Sequence, residues 1–127
     1  MPLVRIDVPE SRSAKELPSL GDAVHRALVE AIGIPRDDRF QVITRHPAGL
    51  LVFDPDYLGI HRTDGVVFVQ ITMSAGRTLQ QKKALHAAIA RNLSALPGLR
   101  AEDVFINLVE VAKENWSFGN GIAPYAT

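Results

Sequence analysis

The sequence predicts an α+β fold in which two tandem β-α-β units form a four-stranded mixed sheet with two helices on one face, plus a short hairpin and a C-terminal tail. Residues 2–43 align without gaps onto residues 67–108, and ten of these 42 positions are identical. Ordinary residue usage would supply only about two or three such identities by chance. Each copy also changes from strand to helix and back to strand periodicity. We therefore expect residues 1–127 to form one domain, built from a unit used twice.

The first copy begins with LVRIDV at residues 3–8, where apolar and polar residues alternate as they do on the two faces of a strand. SAKE at residues 13–16 has the spacing of a capping box, which predicts that a helix starts here. Apolar residues then recur every three or four positions until Gly33, which suits a helix C-terminus, and Pro35, which cannot continue a helix. FQVITR at residues 40–45 resumes an extended pattern, so this copy predicts strand, helix and strand.

The second copy follows a segment that predicts a short hairpin around Pro47–Gly49. VVFVQITM at residues 66–73 has strand character, and Thr78 with Gln81 repeats the helix cap. The return strand, VFINLVEV at residues 104–111, is apolar on both faces. Because two helices can bury only one face of the sheet, we expect self-association to bury the other.

Composition excludes several classes of function. Basic and acidic residues balance at 14 each, which argues against nucleic acid or an anionic membrane as partner. The chain has no cysteine, and its four histidines show no ligand spacing, so neither a metal site nor a cofactor is implied. No apolar run approaches the roughly 20 residues of a membrane span, and the polar N-terminal segment is unlike a signal peptide. These features predict a soluble, cytoplasmic protein.

Pro2 is an unusual residue at the opening of a strand, because proline has no backbone N–H to donate. One interpretation is that the first position of a strand tolerates proline. The other is that removal of Met1 turns Pro2 into a free secondary amine. The repeat weakens the first interpretation, since the matching strand opens on Val67.

Four further residues are candidates for a site. Trp116 and Phe118 lie in NWSFGNG after the last strand, where aromatic rings could cap the core or wall a pocket. Arg77, at the start of the second helix, suits a carboxylate held bidentately. Asp38 is the fourth candidate. The repeat supports a structural alternative for Arg77 and Asp38, because each has an identical residue, Arg12 and Asp103 respectively, at the equivalent position of the other copy.

The chain resembles the tautomerase superfamily, and within it the malonate semialdehyde decarboxylase-like branch. The resemblance is carried by MPLVRID at the start, GIPRDDRFQ at residues 33–41, TMSAGRTLQQKK at residues 72–83 and ENWSFGNG at residues 114–121. It therefore covers nearly the whole chain. It implies a homotrimer of tandem β-α-β subunits, with the sheets packed inward and pockets near the subunit boundaries.

The resemblance also implies roles for the candidate residues. Pro2 matches the catalytic amino-terminal proline of the family, and Asp38 matches the carboxylate of the decarboxylase. Arg77 matches the second of two arginines in the decarboxylase, whereas Trp116 and Phe118 match its aromatic wall.

One position departs from the decarboxylase pattern. Ala75, in SAGRT, stands where the decarboxylase has its first arginine, so one clamp for a carboxylate is missing. We therefore expect Pro2 to act as general acid/base in keto–enol tautomerisation of a small oxo acid, because this reaction requires fewer binding groups than decarboxylation. A malonate semialdehyde decarboxylase or hydratase (a lyase) is the alternative, and a non-catalytic oligomeric binding protein is a further one.

Overall fold

The structure is a computed structural model that describes residues 1–125. Its strands and longer helices, in chain order, are β1 Leu3–Pro9, α1 Leu17–Ile32, β2 Phe40–His46, β3 Val67–Ser74, α2 Leu79–Ser94 and β4 Val104–Val111. The sheet order is β2-β1-β3-β4. β1 is parallel to β2, β3 is parallel to β4, and the central pair β1 and β3 is antiparallel. The predicted tandem β-α-β units and mixed sheet are confirmed.

The hydrophobic core lies between the sheet and the two helices, which pack against each other. Alternate residues of β1 point into this core, as do those of β3, and both sets are at most 1% exposed. The core residues of these two strands are Val4, Ile6, Val8, Val67, Val69, Ile71 and Met73. Leu20, Val24 and Leu28 cover them from α1, and Leu85, Ile89 and Leu93 from α2. No helix within residues 1–125 is both long and apolar enough to cross a membrane.

The two helices start differently, although the sequence predicts the same cap for both. At α2, the Thr78 hydroxyl accepts from the Gln81 backbone, and the Gln81 side chain accepts from the Thr78 backbone, so the capping box is confirmed. At α1 the prediction was wrong, because the Ser13 side chain makes no capping hydrogen bond. A 3₁₀ turn at Ala14–Glu16 comes first, and α1 begins at Leu17.

The prediction of a hairpin after β2 was wrong in its second half, because the turn forms but no return strand follows it. A turn forms, closed by a hydrogen bond from Leu50 N to Pro47 O of 3.1 Å, but no strand lies between β2 and β3. The chain instead stays near the end of β1, where Glu10 donates its backbone N–H to His46 and accepts from Ala48 N. This segment therefore forms the wall of a cavity rather than a fifth strand.

The helix-free face of the sheet is exposed in the single chain. Four large apolar side chains on this face are between 37% and 50% exposed, namely Phe40, Val42, Phe105 and Val109. They lie in two pairs on the edge strands β2 and β4, and exposed apolar side chains of this kind are typical of a protein interface. The structure therefore agrees with the expectation that two helices leave one face of the sheet uncovered.

Candidate active site

Strand directions bring the candidate residues to one edge of the sheet. Because β1 runs parallel to β2 and antiparallel to β3, this edge contains the starts of β1 and β2 and the ends of β3 and β4. Leu3 pairs with Phe40 on one side and Thr72 on the other, while Ser74 pairs with Val111. Segments far apart in sequence therefore converge beside the N-terminus.

A cavity of about 220 Å³ lies at this edge. Its lining residues are Pro2, Leu3, Phe40, Trp116, Ser117 and Phe118. Pro2 is buried, whereas the tail residues that face it are partly exposed. The structure thus brings together three of the five predicted site residues, which are Pro2, Trp116 and Phe118.

Aromatic rings form one wall of the cavity. The rings of Trp116 and Phe118 are stacked, with centroids 5.5 Å apart and planes 9° apart. Phe118 also lies 6.0 Å from Phe40 and 5.6 Å from Tyr125, the latter edge-on. Trp116 Nε1 donates to the Ser74 hydroxyl at 3.0 Å. The tail after β4 is therefore held in place by aromatic contacts and one hydrogen bond, without regular secondary structure.

Asp38 lies beside the N-terminus. Its Oδ2 pairs with the Met1 amino group, and its side chain is 17% exposed. The Asp38 backbone N–H donates to Pro35 O at 3.1 Å, which fixes the turn just before β2. The carboxylate is thus one residue away from the nitrogen that removal of Met1 would release.

Arg77 lies at the same edge but does not line the cavity of the single chain. Its Nη1 donates to the Ser74 carbonyl at 3.1 Å, and within residues 1–125 its guanidinium makes no ion pair. The neighbouring carboxylate of Glu110 is engaged by Lys82, whose Nζ lies 2.7 Å from it. This hydrogen bond, with the charges of Lys82 and Arg77, holds the pKa of Glu110 below its ordinary value. Arg77 therefore keeps donors available for an anion.

Comparison with known proteins identifies the family. Two family models, each described as a tautomerase enzyme, match residues 38–119 and residues 2–60. The chain belongs to the tautomerase superfamily. Probable tautomerase YusQ from Bacillus subtilis (strain 168) is 42% identical to this superfamily member over 123 residues, covering 97% of each protein.

Two solved structures place this tautomerase-superfamily chain in a branch. FG41 malonate semialdehyde decarboxylase, inhibited by 3-bromopropiolate, matches with a TM-score of 0.91 at 41% identity, over 97% of this chain and 93% of that one. A second malonate semialdehyde decarboxylase matches with a TM-score of 0.88 at 33% identity, over 95% and 93% of the two chains. The chain lies in the malonate semialdehyde decarboxylase-like branch, as its sequence motifs predicted.

The opposite edge of the sheet in this superfamily member holds a larger cavity, of about 520 Å³, between the end of β1 and the turn after β2. The repeat makes it the counterpart of the Pro2 cavity, but Asp103 and Arg12, the equivalents of Asp38 and Arg77, do not line it and instead bond within the fold. Asp103, equivalent to Asp38, is 2% exposed and accepts from both the backbone and the hydroxyl of Thr63 at 2.6 Å. Arg12, equivalent to Arg77, is buried and donates to the Gly65 carbonyl. The lining of the larger cavity includes the carboxylates of Glu10 and Asp64 but no Arg or Lys, so it offers no cation to an anionic substrate.

Two residues at the Pro2 edge were not among the predicted candidates. Phe40 lines the cavity, yet its identity with Phe105 in the repeat suggests only a structural role. Ser74 is buried and contacts both Trp116 and Arg77, but nothing in the alternation of β3 distinguishes it. Within residues 1–125, no group of three or more His, Asp or Glu side chains could hold a metal ion.

Proposed function

We propose that this superfamily member is an enzyme that uses the amine of Pro2 as general acid/base in keto–enol tautomerisation of a small oxo acid. One observation carries the proposal: Pro2 is buried in an aromatic-walled cavity, with the Asp38 carboxylate at the chain terminus beside it. Removal of Met1 would give that cavity a secondary amine among its lining groups. The family membership agrees with this reaction class.

The proposed chemistry is a proton transfer between carbon and oxygen. Neutral Pro2 takes a proton from the carbon next to the carbonyl and, once protonated, delivers it to the carbonyl oxygen; the reverse order gives ketonisation. An amine of ordinary pKa would be largely protonated at neutral pH. A base role therefore requires surroundings that favour the neutral amine, such as an apolar cavity or a nearby positive charge.

The other residues are assigned to binding. In the proposed complex, Arg77 holds the substrate carboxylate, because its planar guanidinium can donate two parallel hydrogen bonds. Trp116 and Phe118 contact the apolar part of the substrate and exclude water. Asp38 sets the balance between the acid and base forms of the Pro2 amine.

Substitution of Pro2 tests the proposal. Intact mass should show that Met1 is absent, because a retained Met1 would block the amine. Phenylpyruvate ketonisation should proceed, and Pro2→Ala should lower kcat/KM by about 10²- to 10⁴-fold, the range for loss of a general acid/base. Pro9→Ala is the matched control, at the far end of the same strand, and should retain activity. Equal activity of Pro2→Ala and the wild type would refute a role for the amine.

Decarboxylation is the second candidate reaction, and the identities of 41% and 33% to malonate semialdehyde decarboxylases favour it. In this reaction, protonated Pro2 would polarise the carbonyl oxygen of a 3-oxo acid while Arg77 orients the carboxylate, and carbon dioxide would leave. Ala75 offers no second clamp. Turnover of malonate semialdehyde, together with the slope of the pH–rate profile, distinguishes the acid role from the base role.

If the wild-type chain lacks Met1 but catalyses neither tautomerisation nor decarboxylation, a non-catalytic oligomeric binding protein is favoured. The Pro2 cavity would then be retained as a binding site only. Titration of the Pro2 amine by NMR distinguishes a base role from an acid role, because a base needs a pKa lowered toward neutrality and an acid does not.

We also propose that the chain forms a homotrimer through the helix-free face of the sheet. The support is the exposed apolar surface that contains Phe40, Val42, Phe105 and Val109. In such an assembly, a neighbouring subunit would lie next to the edge that holds the Pro2 cavity. Native mass spectrometry measures the subunit number directly.

A further inference from the structure

Ser74 connects two parts of the candidate site that are otherwise separate. It is the last residue of β3, is 2% exposed and pairs with Val111 of β4. Its hydroxyl accepts from Trp116 Nε1 at 3.0 Å, and its carbonyl accepts from Arg77 Nη1 at 3.1 Å. One rigid strand end therefore holds both the aromatic wall and the arginine.

The hydroxyl matters most for Trp116, which follows β4 in a segment without regular secondary structure. An indole has a single N–H donor and no acceptor, so this hydrogen bond is its one directional polar contact. The bond fixes the rotation of the indole ring, and the ring in turn stacks on Phe118 at 5.5 Å. The hydroxyl thus acts directly on Trp116 and, through the stacked rings, on Phe118, which also contacts Phe40 and Tyr125.

The carbonyl acts on Arg77. A guanidinium has five N–H donors, and the Ser74 carbonyl engages only Nη1, so other N–H groups of Arg77 stay available. This contact comes from the backbone and persists whatever side chain occupies position 74. The two contacts can therefore be separated by mutation.

We propose that Ser74 is a positioning residue that orients Trp116, and through it Phe118, against the substrate in the Pro2 cavity. The substrate part of this inference rests on the proposed function, whereas the hydrogen bond itself does not. Ser74 acts through Trp116 and does not touch the reacting atoms.

Ser74→Ala is the direct test, because it removes the hydroxyl and leaves the carbonyl contact to Arg77. Trp116 is the sole tryptophan, so the indole Hε1 resonance reports on this bond alone. We expect that resonance to move upfield in Ser74→Ala. We expect KM for phenylpyruvate to rise about threefold to tenfold, the effect of one hydrogen bond, with kcat little changed.

Two controls make the result specific. Ser94→Ala removes another serine hydroxyl, which bonds the Arg91 carbonyl at the end of α2, and it should change neither the Hε1 resonance nor KM. Trp116→Phe keeps an aromatic ring but has no N–H to donate. In the Trp116→Phe background, Ser74→Ala should have no further effect on KM.

Binding of 3-phenylpropanoate, a carboxylate that cannot enolise, separates this inference from the proposed function. If the wild type binds this probe but turns over no oxo acid, and Ser74→Ala weakens binding, then Ser74 positions the wall and the proposed reaction is wrong. An unchanged Hε1 resonance would overturn the inference. Equal weakening by Ser74→Ala in the wild-type and Trp116→Phe backgrounds would also overturn it, as would failure of the wild type to bind the probe.

Discussion

Asp38 and Asp103 occupy equivalent positions in the two copies of the repeat, yet their surroundings differ. Asp103 is buried and accepts two hydrogen bonds from Thr63. Asp38 is partly exposed and pairs with the terminal amino group. The repeat alone supports the same structural role for both. In the structure, Asp103 is therefore bonded within the fold, whereas Asp38 is bonded to the chain terminus next to the candidate site.

Alanine substitution of the two residues should separate these roles. Asp103→Ala should lower the free energy of unfolding by about 1–3 kcal/mol, because the backbone N–H and hydroxyl of Thr63 lose their hydrogen bonds to a buried carboxylate. Asp38→Ala should instead change catalysis. Loss of a negative charge beside the Pro2 amine lowers the amine pKa, so the acidic limb of kcat/KM should move to lower pH.

Urea unfolding at one protein concentration and the pH–rate profile of phenylpyruvate ketonisation measure these two effects. A fixed concentration is needed because association would change the apparent stability. An unmoved acidic limb in Asp38→Ala would contradict the role of Asp38. A stability loss in Asp38→Ala as large as that in Asp103→Ala would show that the two residues are structurally equivalent.

Prediction of site residues from the sequence succeeded for residues whose type and position in the chain are both unusual. Pro2, Trp116 and Phe118 were expected at one site, and they line one cavity, although their catalytic and binding roles remain predictions. Ser74 and Phe40 could not be found this way, because periodicity reports which face of a strand a residue occupies. It does not report which loop will later cover that face.

At the scale of elements, the starts of the two helices show that similar spacing can give different caps. Thr78 and Gln81 exchange hydrogen bonds at α2, whereas Ser13 makes none at α1. Pro18 lies in the first turn of α1, where proline is favoured because the first N–H groups of a helix have no partner inside it. The start of α1 is therefore stabilised without a side-chain cap.

Removal of each hydroxyl should show this difference. Thr78→Ala should lower the free energy of unfolding by about 1 kcal/mol, because the Gln81 N–H loses its acceptor. Ser13→Ala should be close to neutral. Thermal unfolding by circular dichroism compares the two variants, and an equal shift in Tm would mean that Ser13 caps α1 in solution.

Strands and helices were predicted from periodicity because burial imposes it on the sequence directly. The second half of the hairpin was not formed, since alternation is weak in LLVFD at residues 50–54 and the turn contacts hold this segment near Glu10. Local pattern thus predicts elements that bury a face. It fails for a segment whose position depends on a few polar contacts.

At the scale of the whole molecule, the helix-free face of the sheet exposes large apolar side chains that a subunit stable on its own would bury. Its exposed residues include Phe105, whose ring lies 5.2 Å from Phe68 on the neighbouring strand. A buried charge without a partner is costly, so Phe105→Lys should dissociate the proposed trimer. Native mass spectrometry should show monomers at a concentration where the wild type is trimeric.

Ala87→Lys on the exposed side of α2 is the control for this variant and should leave the trimer intact. Far-UV circular dichroism should show that Phe105→Lys keeps its secondary structure, which separates dissociation from unfolding. A trimeric Phe105→Lys would mean that the subunits associate through another surface.

Both ends of the described chain meet at one aromatic cluster, because Pro2 lines the cavity whose wall residue Phe118 contacts Tyr125. This limits how the protein can be tagged for purification or display. A fusion ahead of Pro2 would block its amine, and a fusion after Tyr125 would crowd Phe118. The exposed 3₁₀ turn at Tyr57–Gly59, between β2 and β3, is the better place to insert a tag.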